Sequence, residues 1–545
     1  MPTGKEHIPM SKYTVGIDFG TLSARATLMD IYSGCEVSSA SANYRHGVLS
    51  EKLPTGEELP EGFALQVGGD YVEAMAIAVR KAIEAAGIPS GDIIGVGIDF
   101  TASTVIALGE DLEPLTDKEE FKGSPHAYVK LWKHHGAIRE AEIINRVAKE
   151  RGEGWLSRYG GKLSSEFMLP KILETARCAP EVFDSTYCFS EAASYIVYKL
   201  TGRLRHSVCT NGFKAVWDER YGYPCDGFFE MLDPERGVAI KKKLPQDIIS
   251  QNSVAGYVTK EAAELTALPE GIPVAPALID AHSALPATGV YAEGSMLMAI
   301  GTSSCHILVS EKEYPVLGIS GYAKDALYRD LFVYEAGQSA VGDAFGWFRE
   351  NALPVTFEKE ATDRGLGVFQ LLEEKAGKIK PTEDSPVALD WWNGCRAPYS
   401  DGGLKGCIMG LDITTAPEAI YRALIESTAY GVRRIVELYR EGGIEVREAV
   451  AAGGIPKKNR LLVKIYADVL GIPIRISEAT ESCALGAAML ALAVANGEEL
   501  ERVSERLYDK GGEIIAPDPE ASRIYDILYE RYKRLSEFVY NESKY

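Results

Sequence analysis

Short apolar runs alternate with apolar residues at helical spacing along most of the chain. The run Tyr13–Phe19 has the β-branched and aromatic character of a strand, and a second run, Ala26–Ile31, follows the turn residues Gly20–Ser23. The same arrangement returns at Ser295–Ser310, where Gly301–Ser303 separates two apolar runs. The pattern predicts two hairpins with similar tips, one in each half of the chain, and therefore two related domains that face one ligand.

Helices and buried strands are predicted in the remainder of the first half. The segment Asp70–Ala86 opens with a D-x-x-E capping box, has apolar residues at helical spacing and stops at Gly87. The run Ile93–Phe100 is typical of a buried strand, and it leads into the turn Thr101–Thr104. This mixture of strands and helices predicts an α/β protein.

The second half has the same organisation around a long helix. Thr415 and Glu418 form another capping box, and a Gly-Gly pair ends the helix that follows. The strand Ala449–Ala452 then leads into a second Gly-Gly pair at 453–454, before a further helix at Arg460–Leu470. A Gly-Gly pair between strand and helix lets a flat ligand approach the backbone, although a plain strand-to-helix turn has the same composition.

The length and the net charge of the chain exclude some classes of fold and of binding partner. The chain of 545 residues is too long for one compact core. Its formal net charge of −20 argues against nucleic acid or an anionic membrane as the main partner, because both need a positive field. Nine cysteines without a CxxC pair favour a reduced, cytoplasmic setting. The most apolar run, Cys483–Asn496, is too short to cross a bilayer as a helix, and Met1–Pro9, which precedes a second Met, is set aside.

Several motifs together resemble the FGGY family of carbohydrate kinases, from about Tyr13 to Gly497. One departure is Glu174, which stands where many members have Trp, although the preceding Pro-Lys pair is present. The family motifs are GIDFGTLSAR (16–25), GIDFTAST (97–104), ALIDAHSALPATG (277–289), IGTSSCH (300–306), GGIPKKN (453–459) and ALGAA (484–488). The segments most similar to the ribulokinase branch are LWKHH (131–135), GFKAVW (212–217), EAGQSAVGDAFGWF (335–348) and DWWNGCRAP (390–398).

The resemblance implies a fold and an activity. The fold would be two ribonuclease-H-like, actin-like ATPase domains, at residues 10–288 and 289–545, with a ligand cleft between them. The activity would be ATP-dependent phosphorylation of a 2-ketopentose at its terminal hydroxyl, with Mg²⁺ as cofactor. The first choice of substrate is L-ribulose, converted to L-ribulose 5-phosphate in L-arabinose catabolism, and D-ribulose and xylulose are the near alternatives.

Two other classes stay open. An actin-like, nucleotide-switched interaction protein would share the fold, because a fold does not fix a function. Such a protein needs no sugar base, so the DAHS and EAGQSA segments favour the kinase. A regulator that binds sugar without turnover is the third alternative, and the retained Asp280 and both phosphate turns argue against it.

Asp280 is the candidate general base. It follows the apolar run Pro273–Ile279, and a carboxylate there can accept the proton of an alcohol as the alcohol attacks ATP. An Asp that caps the following helix would have the same surroundings, and the residues alone leave the two roles equally open. The family resemblance favours the base.

The remaining site residues come from the turns and from the resemblance. Asp18 resembles the family's Mg²⁺-associated carboxylate, and one such carboxylate is sufficient because Mg²⁺ keeps several waters. Arg25 adds a charge near the phosphates, although an Arg in a strand more often meets solvent or an acid. The ATP-binding candidates are Gly20, Thr21, Ser23, Arg25, Gly301, Thr302, Ser303, Gly453, Gly454 and Asn459; the sugar-binding candidates are Ala102, Trp132, Lys214, Asp280 and Glu335.

Three further expectations concern other parts of the chain. His282 and His306 lack a metal-ligand set, so packed or hydrogen-bonded roles are expected for both. The amphipathic segment Ala521–Val539 is either a contact in a homo-oligomer or a packed terminal helix. Substrate binding is expected to close the cleft about a hinge near Ala287–Glu293.

Overall fold

A computed structural model describes residues 12–508 and 510–544, so the segment Met1–Pro9 lies outside the described residues. Within the described ranges the chain forms 22 β-strands and 19 α-helices. The strands are β1 Tyr13–Phe19, β2 Ser23–Asp30, β3 Glu36–Asn43, β4 Leu65–Gln66, β5 Ile93–Phe100, β6 Val105–Leu108, β7 Val129–Lys130, β8 Cys188–Glu191, β9 His206–Ser207, β10 Ile248–Ile249, β11 Gly256–Tyr257, β12 Pro273–Val274, β13 Leu278–Ile279, β14 Ser295–Ile300, β15 Ser304–Ser310, β16 Gly321–Lys324, β17 Phe332–Gln338, β18 Val387–Ala388, β19 Ile408–Met409, β20 Glu448–Ala452, β21 Ile474–Ile476 and β22 Ile514–Ile515.

The helices alternate with these strands. They are α1 Gly68–Ala86, α2 Ile138–Arg151, α3 Met168–Cys178, α4 Pro180–Ser185, α5 Ala192–Thr201, α6 Val208–Lys214, α7 Asp226–Leu232, α8 Gly237–Lys242, α9 Lys260–Thr266, α10 Asp280–Thr288, α11 Gly342–Asn351, α12 Val355–Asp363, α13 Val368–Gly377, α14 Pro417–Glu441, α15 Gly454–Lys458, α16 Arg460–Leu470, α17 Ser482–Asn496, α18 Leu500–Leu507 and α19 Pro519–Glu542. None of the helices in the described ranges is long and apolar enough to cross a membrane.

Each half of the chain is built on one large sheet with the same centre. In the first sheet, β1 pairs antiparallel with β2 and parallel with β5. In the second sheet, β14 pairs antiparallel with β15 and parallel with β20. The full strand orders are β11-β12-β5-β1-β2-β3, with β13 beside β5, and β16-β17-β15-β14-β20-β21-β22. The two hairpins predicted from the apolar pattern are confirmed, and each lies at the centre of its sheet.

Helix α17 packs its backbone against the first sheet, although it comes from the end of the chain. A Cβ atom added to Gly16 would lie 1.7 Å from the carbonyl oxygen of Ala484, and one added to Gly97 would lie 1.9 Å from that of Ala487. Glycine at these two positions is therefore what allows the close approach. Residues of α10 and α17 share one hydrophobic core with residues of the second sheet, including Leu297. The two halves are thus joined by a common core.

Both predicted capping boxes are wrong, because the side chains bond elsewhere. Helix α1 begins at Gly68, and the Asp70 carboxylate accepts hydrogen bonds from the backbone and the ring of His46. Helix α14 begins at Pro417, and the hydroxyl of Thr415 accepts from the backbone N–H of Asp412 in the preceding turn. Asp and Thr suit turns as well as caps, and here the turn contacts take precedence.

The ends of several other elements agree with the predictions. Gly87 ends α1 in the left-handed conformation, with φ of 63°. Strand β5 and helix α16 have the predicted bounds. Helix α19 buries Tyr525, Leu528 and Tyr529 against the second half, as a packed terminal helix does.

Candidate active site

Each of the two hairpin tips is closed by a main-chain hydrogen bond, and the first turn is one residue longer than the second. In the first, the N–H of Gly20 donates to the carbonyl of Ser23 at 3.0 Å; in the second, the N–H of Gly301 donates to that of Ser303 at 2.9 Å. Thr302 is exposed, whereas Thr21 is half-buried. Each turn follows the central strand of its sheet, so both present backbone N–H groups and hydroxyls at equivalent sheet edges.

Three carboxyl groups meet at the end of the first sheet. Asp18 in β1 is the register partner of Asp99 in β5, and Leu278 of β13 pairs with Asp99 from the other side. Asp280 is the first residue of α10, two residues after Leu278, and its Oδ1 accepts from the N–H of Ala281 at 2.7 Å. Asp99 is fully buried, and neither of its oxygens accepts a hydrogen bond. The sheet register therefore creates a cluster of acids beside the first turn.

Burial and mutual repulsion set the protonation of this cluster. Burial, followed by the charge of the neighbouring Asp18, raises the pKa of Asp280 to about 7. Burial also raises the pKa of Asp99 well above its usual range, with Asp18 and Asp280 adding to the effect. Burial raises the pKa of Asp18 as well, opposed by its contact with Asp99 and by the charge of Arg25. The close approach of three acids therefore favours a protonated Asp99, the member that has the least access to water.

A second polar group surrounds Glu335 in β17. The Nζ of Lys214 lies 2.9 Å from its Oε1, and the Nε2 of His282 lies 3.0 Å from its Oε2. Burial alone would raise the pKa of Glu335, but Lys214 and His282 hold that pKa well below its usual range. The charge on Glu335 and that on Lys214 both influence the pKa of Asp280, so this group and the acid cluster lie close together.

Both histidines have the hydrogen-bonded roles expected from the sequence. His282 bonds Glu335, and its other ring nitrogen lies 3.5 Å from the thiol sulfur of Cys209. His306 is buried between Ser304 and Gln338, with its Nε2 at 2.9 and 3.2 Å from their side-chain oxygens. Both side chains are therefore engaged in bonds within the protein.

Trp132 joins the expected sugar side to the first turn. Its indole N–H donates to the hydroxyl of Thr21 at 3.2 Å. Ala102 is half-buried in the turn after β5, next to Ser103, which has a positive φ of 55°. The structure thus brings Asp280, Lys214 and Glu335 together, and it connects Trp132 directly to the turn at Gly20–Ser23.

Comparison with known proteins identifies the family. The N-terminal domain model of the FGGY family of carbohydrate kinases matches residues 13–286, and the C-terminal domain model matches residues 296–495. The chain belongs to the FGGY family of carbohydrate kinases. It is an enzyme that phosphorylates a sugar with ATP as the other substrate.

Several curated relatives of this FGGY kinase are named ribulokinase. The chain is 42% identical to a ribulokinase of Shouchella clausii over 536 residues, which is 97% of this chain and 95% of the relative. It is 43% identical to a ribulokinase of Anoxybacillus flavithermus, over 97% of this chain and 94% of the relative. Among solved structures, xylulose kinase from Rhodospirillum rubrum superposes with a TM-score of 0.80 at 21% identity, covering 98% of this chain and 100% of that one. The predicted family and the two-domain, actin-like fold are therefore confirmed.

In this FGGY kinase, Arg25 is engaged by an acid from the other half of the chain. Its Nη1 lies 2.5 Å from Oε1 of Glu481, the residue that precedes α17. Arginines in strands often meet an acid, and Arg25 does so across the two halves. A role for Arg25 at the phosphates would require exchange of this partner.

The adenosine candidates lie after β20. Gly453 has a φ of 107°, and a Cβ atom there would lie 2.4 Å from the carbonyl oxygen of Ile300, so a side chain would be strained. Gly454 begins α15. Asn459 is buried, its Oδ1 accepts from the N–H of Leu462, and its amide donates to the hydroxyl of Tyr421. Asn459 is therefore the N-cap of α16, a structural role that its place in the motif did not reveal.

Three residues of this region were not predicted from the sequence. Asp99 could have been found, because GIDF occurs at 16–19 and again at 97–100 and the two copies pair residue by residue. Gly342 donates its N–H to the carbonyl of Gly301, the first residue of the second turn. Arg396, within the DWWNGCRAP segment, lies 3.7 Å from Glu166, an acid of the first half whose charge acts on the pKa of Lys214. The last two depend on contacts between distant segments, which no local pattern encodes.

The acid cluster fits a magnesium ion. In the described residues, no group of three or more His, Cys, Asp or Glu side chains has the arrangement of a self-sufficient metal site. Mg²⁺ is usually bound by one or two carboxylates together with substrate phosphates and waters. Asp18, beside the first turn, supplies one carboxylate of this kind, whereas Asp99 is fully buried and held in its protonated form.

Proposed function

We propose that this enzyme transfers the γ-phosphoryl group of ATP to the terminal hydroxyl of L-ribulose, giving L-ribulose 5-phosphate and ADP in L-arabinose catabolism. The observation that carries the substrate is the near full-length identity of 42–43% with proteins named ribulokinase. The solved xylulose kinases share the fold at about half that identity, so they support the architecture and not the substrate.

Asp280 acts as the general base in this proposal. A carboxylate whose pKa is about 7 is ionised in a large fraction of molecules near neutral pH and still has useful basicity. Its free oxygen takes the proton of the sugar hydroxyl while that hydroxyl oxygen forms a bond to the γ-phosphorus. The bond between the γ-phosphorus and the bridging oxygen breaks, and ADP leaves with the electron pair.

The other candidates bind and orient the substrates. The Glu335 carboxylate accepts from a sugar hydroxyl, and the Lys214 ammonium donates to a hydroxyl or the keto oxygen; their mutual bond and that of His282 fix both groups in advance. Ala102 and Trp132 line the same pocket.

The phosphates of ATP lie between the two turns, bonded to Gly20, Thr21 and Ser23 on one side and Gly301, Thr302 and Ser303 on the other. Bound Mg²⁺, held near Asp18, supplies positive charge that neutralises the phosphates. Gly453, Gly454 and Asn459 form the adenosine side, with the domains divided at residues 288 and 289.

The test is ADP release measured with a panel of L-ribulose, D-ribulose, D- and L-xylulose, ribitol, glycerol and gluconate. We expect the highest kcat/KM with L-ribulose. The protein with Asp280→Asn, purified in parallel, controls for contaminating kinases. A clear preference for D-ribulose or a xylulose would replace the proposed substrate, and nucleotide turnover that no sugar stimulates would contradict the kinase assignment for this chain.

A further inference from the structure

Beneath the segment that carries Trp132 lies a buried cluster of charges that the proposed reaction does not use. Glu174 in α3 is 2% exposed, and its Oε2 lies 2.6 Å from the Nζ of Lys130. The same oxygen lies 2.9 Å from the Nε2 of His134. Lys130 and His134 are also almost fully buried, at 2% and 0% exposure. One carboxylate therefore anchors both ends of a five-residue segment with Trp132 at its centre.

The polar contacts of this cluster are complete and directional. Lys130 donates also to the carbonyl of Lys171 at 3.0 Å and to the hydroxyl of Thr175 at 2.7 Å. The N–H of Ala64 donates to the Nδ1 of His134, so Nε2 carries the ring proton and donates to Glu174. Every charged group thus has a partner, and the geometry of the segment is fixed at each end.

A second buried lysine ties the same segment to the turn after β5. Lys171, fully buried, donates to the carbonyls of Ser103 and Leu131, both at 2.7 Å. Ser103 follows Ala102, and Leu131 precedes Trp132. Helix α3 therefore holds two sugar-pocket segments by side-chain bonds, one through Lys171 and one through Glu174.

Packing alone does not require charge at this place. Removing charged groups from water costs free energy that their attraction often fails to recover, and apolar side chains of similar volume usually serve stability as well. What the carboxylate adds is a fixed register for Lys130 and His134, and hence for the residue midway between them.

We propose that Glu174 is a positioning residue for the sugar site, which it serves by holding Trp132 against Thr21 of the first phosphate turn. Because Trp132 contacts that turn, the anchor affects the use of sugar and the placement of the phosphate turn together. This inference rests on the proposed function for the identity of the sugar, and on the hydrogen bonds above for the connection.

The test compares Glu174→Gln with Glu426→Gln, a matched control in the other half. Glu426 is also 2% exposed, and its Oε1 accepts from Arg422 at 2.7 Å and from the hydroxyl of Tyr525 at 3.0 Å. Both variants are expected to lower Tm because each leaves a buried cation without its anion. Glu174→Gln should also lower kcat/KM for the sugar at least tenfold, mainly through KM, whereas Glu426→Gln should stay within twofold of the parent.

Two further variants show whether Glu174 acts through Trp132. His134→Phe keeps the aromatic contact with Phe63, whose ring centroid lies 4.7 Å away, and loses the bond to Glu174 together with the long 3.4 Å bond from Ala64. It should lower sugar kcat/KM in the same direction by a smaller factor, and it serves if Glu174→Gln does not fold. In a Trp132→Phe background, Glu174→Gln or His134→Phe should have no further effect on sugar kcat/KM.

The outcomes separate this inference from the proposed function. The substrate panel on the parent enzyme first identifies the sugar, and all ratios use that sugar. Sugar kcat/KM within twofold of the parent in both Glu174→Gln and His134→Phe, or effects that add fully to Trp132→Phe, would overturn the positioning role. A parent enzyme that prefers another sugar would change the proposed function and leave this comparison intact.

Discussion

The turn at Gly20–Ser23 and the turn at Gly301–Ser303 each close with one main-chain hydrogen bond, yet different groups hold them. Three side chains anchor the first. Tyr44 donates to the carbonyl of Gly20 at 2.9 Å, and Gln66 and Trp132 donate to the carbonyl and hydroxyl of Thr21 at 2.8 and 3.2 Å. The first turn is therefore connected, through side chains, to the segments around the sugar pocket.

The first turn has one main-chain anchor as well, the N–H of Tyr44, which donates to the carbonyl of Leu22 at 2.9 Å; the bonds that hold the second turn all come from the main chain. The N–H groups of Val341 and Asp343 donate to the carbonyl of Thr302 at 2.7 and 3.2 Å, and that of Gly342 donates to the carbonyl of Gly301. These donors lie at the start of α11. Main-chain anchors do not depend on which side chain is present, so we expect the second turn to be the more rigid of the two.

The strands that lead into the two turns also differ in charge. Asp18 pairs with Asp99 in the first sheet, whereas the equivalent pair in the second sheet is Ala299 with Ala452. Phosphate binding is proposed for both turns, but the acid pair lies in the strands that lead into the first. The repeated fold has thus been made asymmetric by a few residues at equivalent positions.

The largest expected effect belongs to the acid cluster. Asp280→Asn should lower turnover by about 10²- to 10⁴-fold, the usual contribution of general base catalysis, with sugar and ATP affinities nearly unchanged. Steady-state kinetics and equilibrium binding on the same preparation measure both quantities. Near-normal turnover in a folded protein would show that the chemistry does not depend on this cluster. The difference in charge between the two sheets would then have no catalytic role.

The two turns should respond differently to the same mild substitution. Thr21→Val deletes the hydroxyl that Trp132 bonds, so kcat/KM should fall for both ATP and sugar, by about 3- to 10-fold for one hydrogen bond. Thr302→Val should lower kcat/KM for ATP by a similar or smaller factor and leave the sugar value unchanged. An equal fall of sugar kcat/KM in the two variants would show that the different anchors of the turns do not matter for sugar use. An unchanged kcat/KM for ATP in both variants would mean that the two turns do not bind one triphosphate.

Stability should show the cost of the acids in the first half. Between the unfolded pKa of Asp280, near 3.8, and its folded pKa of about 7, the folded protein binds the proton more tightly, so stability falls as pH rises through that window. Asn does not ionise and escapes this loss. Asp280→Asn should therefore gain about 1–4 kcal/mol of relative stability between pH 4 and pH 8, since one pKa unit corresponds to about 1.4 kcal/mol. Thermal unfolding without nucleotide or Mg²⁺ measures it; a Tm difference that is the same at both pH values would show that ionisation of Asp280 does not destabilise the fold.

The smallest expected signal is closure of the cleft. If the first turn responds to sugar and the second is fixed, ligands should move one half toward the other about the predicted hinge, Ala287–Glu293. Small-angle scattering of the Asp280→Asn protein with ketopentose and a non-hydrolysable ATP analogue should show a slightly smaller radius of gyration than the free protein. An unchanged radius of gyration at saturating ligand would indicate a preformed cleft. The different anchors of the two turns would then have no role in domain closure.

Local pattern predicted the elements well and their contacts poorly. The hairpins, β5 and the bounds of α16 follow from apolar periodicity and turn residues, which act over a few positions. The capping boxes failed because Asp70 and Thr415 found other partners. Asp and Thr are suitable capping residues, but the folded structure brings both side chains closer to other hydrogen-bond partners.

The candidate site divides in the same way. Family motifs pointed to Asp280, Lys214 and Glu335, which the structure brings together. The anchor at Glu174 was seen in the sequence only as a departure from the family pattern. Its partners, 40 and 44 residues away, are defined by the pairing of a helix with a distant segment that begins in β7, and such pairings are not encoded in local composition.

The position of α17 has a consequence for the synthesis of the chain. The face of the first sheet formed by β1 and β5 is complete once residue 100 has left the ribosome, but the helix that covers it, through Gly16 and Gly97, emerges about 380 residues later. At the usual elongation rates this delay is about 20–80 s. For that time the nascent first half has an apolar face without its native cover, and exposed apolar surface of this kind favours chaperone binding and aggregation.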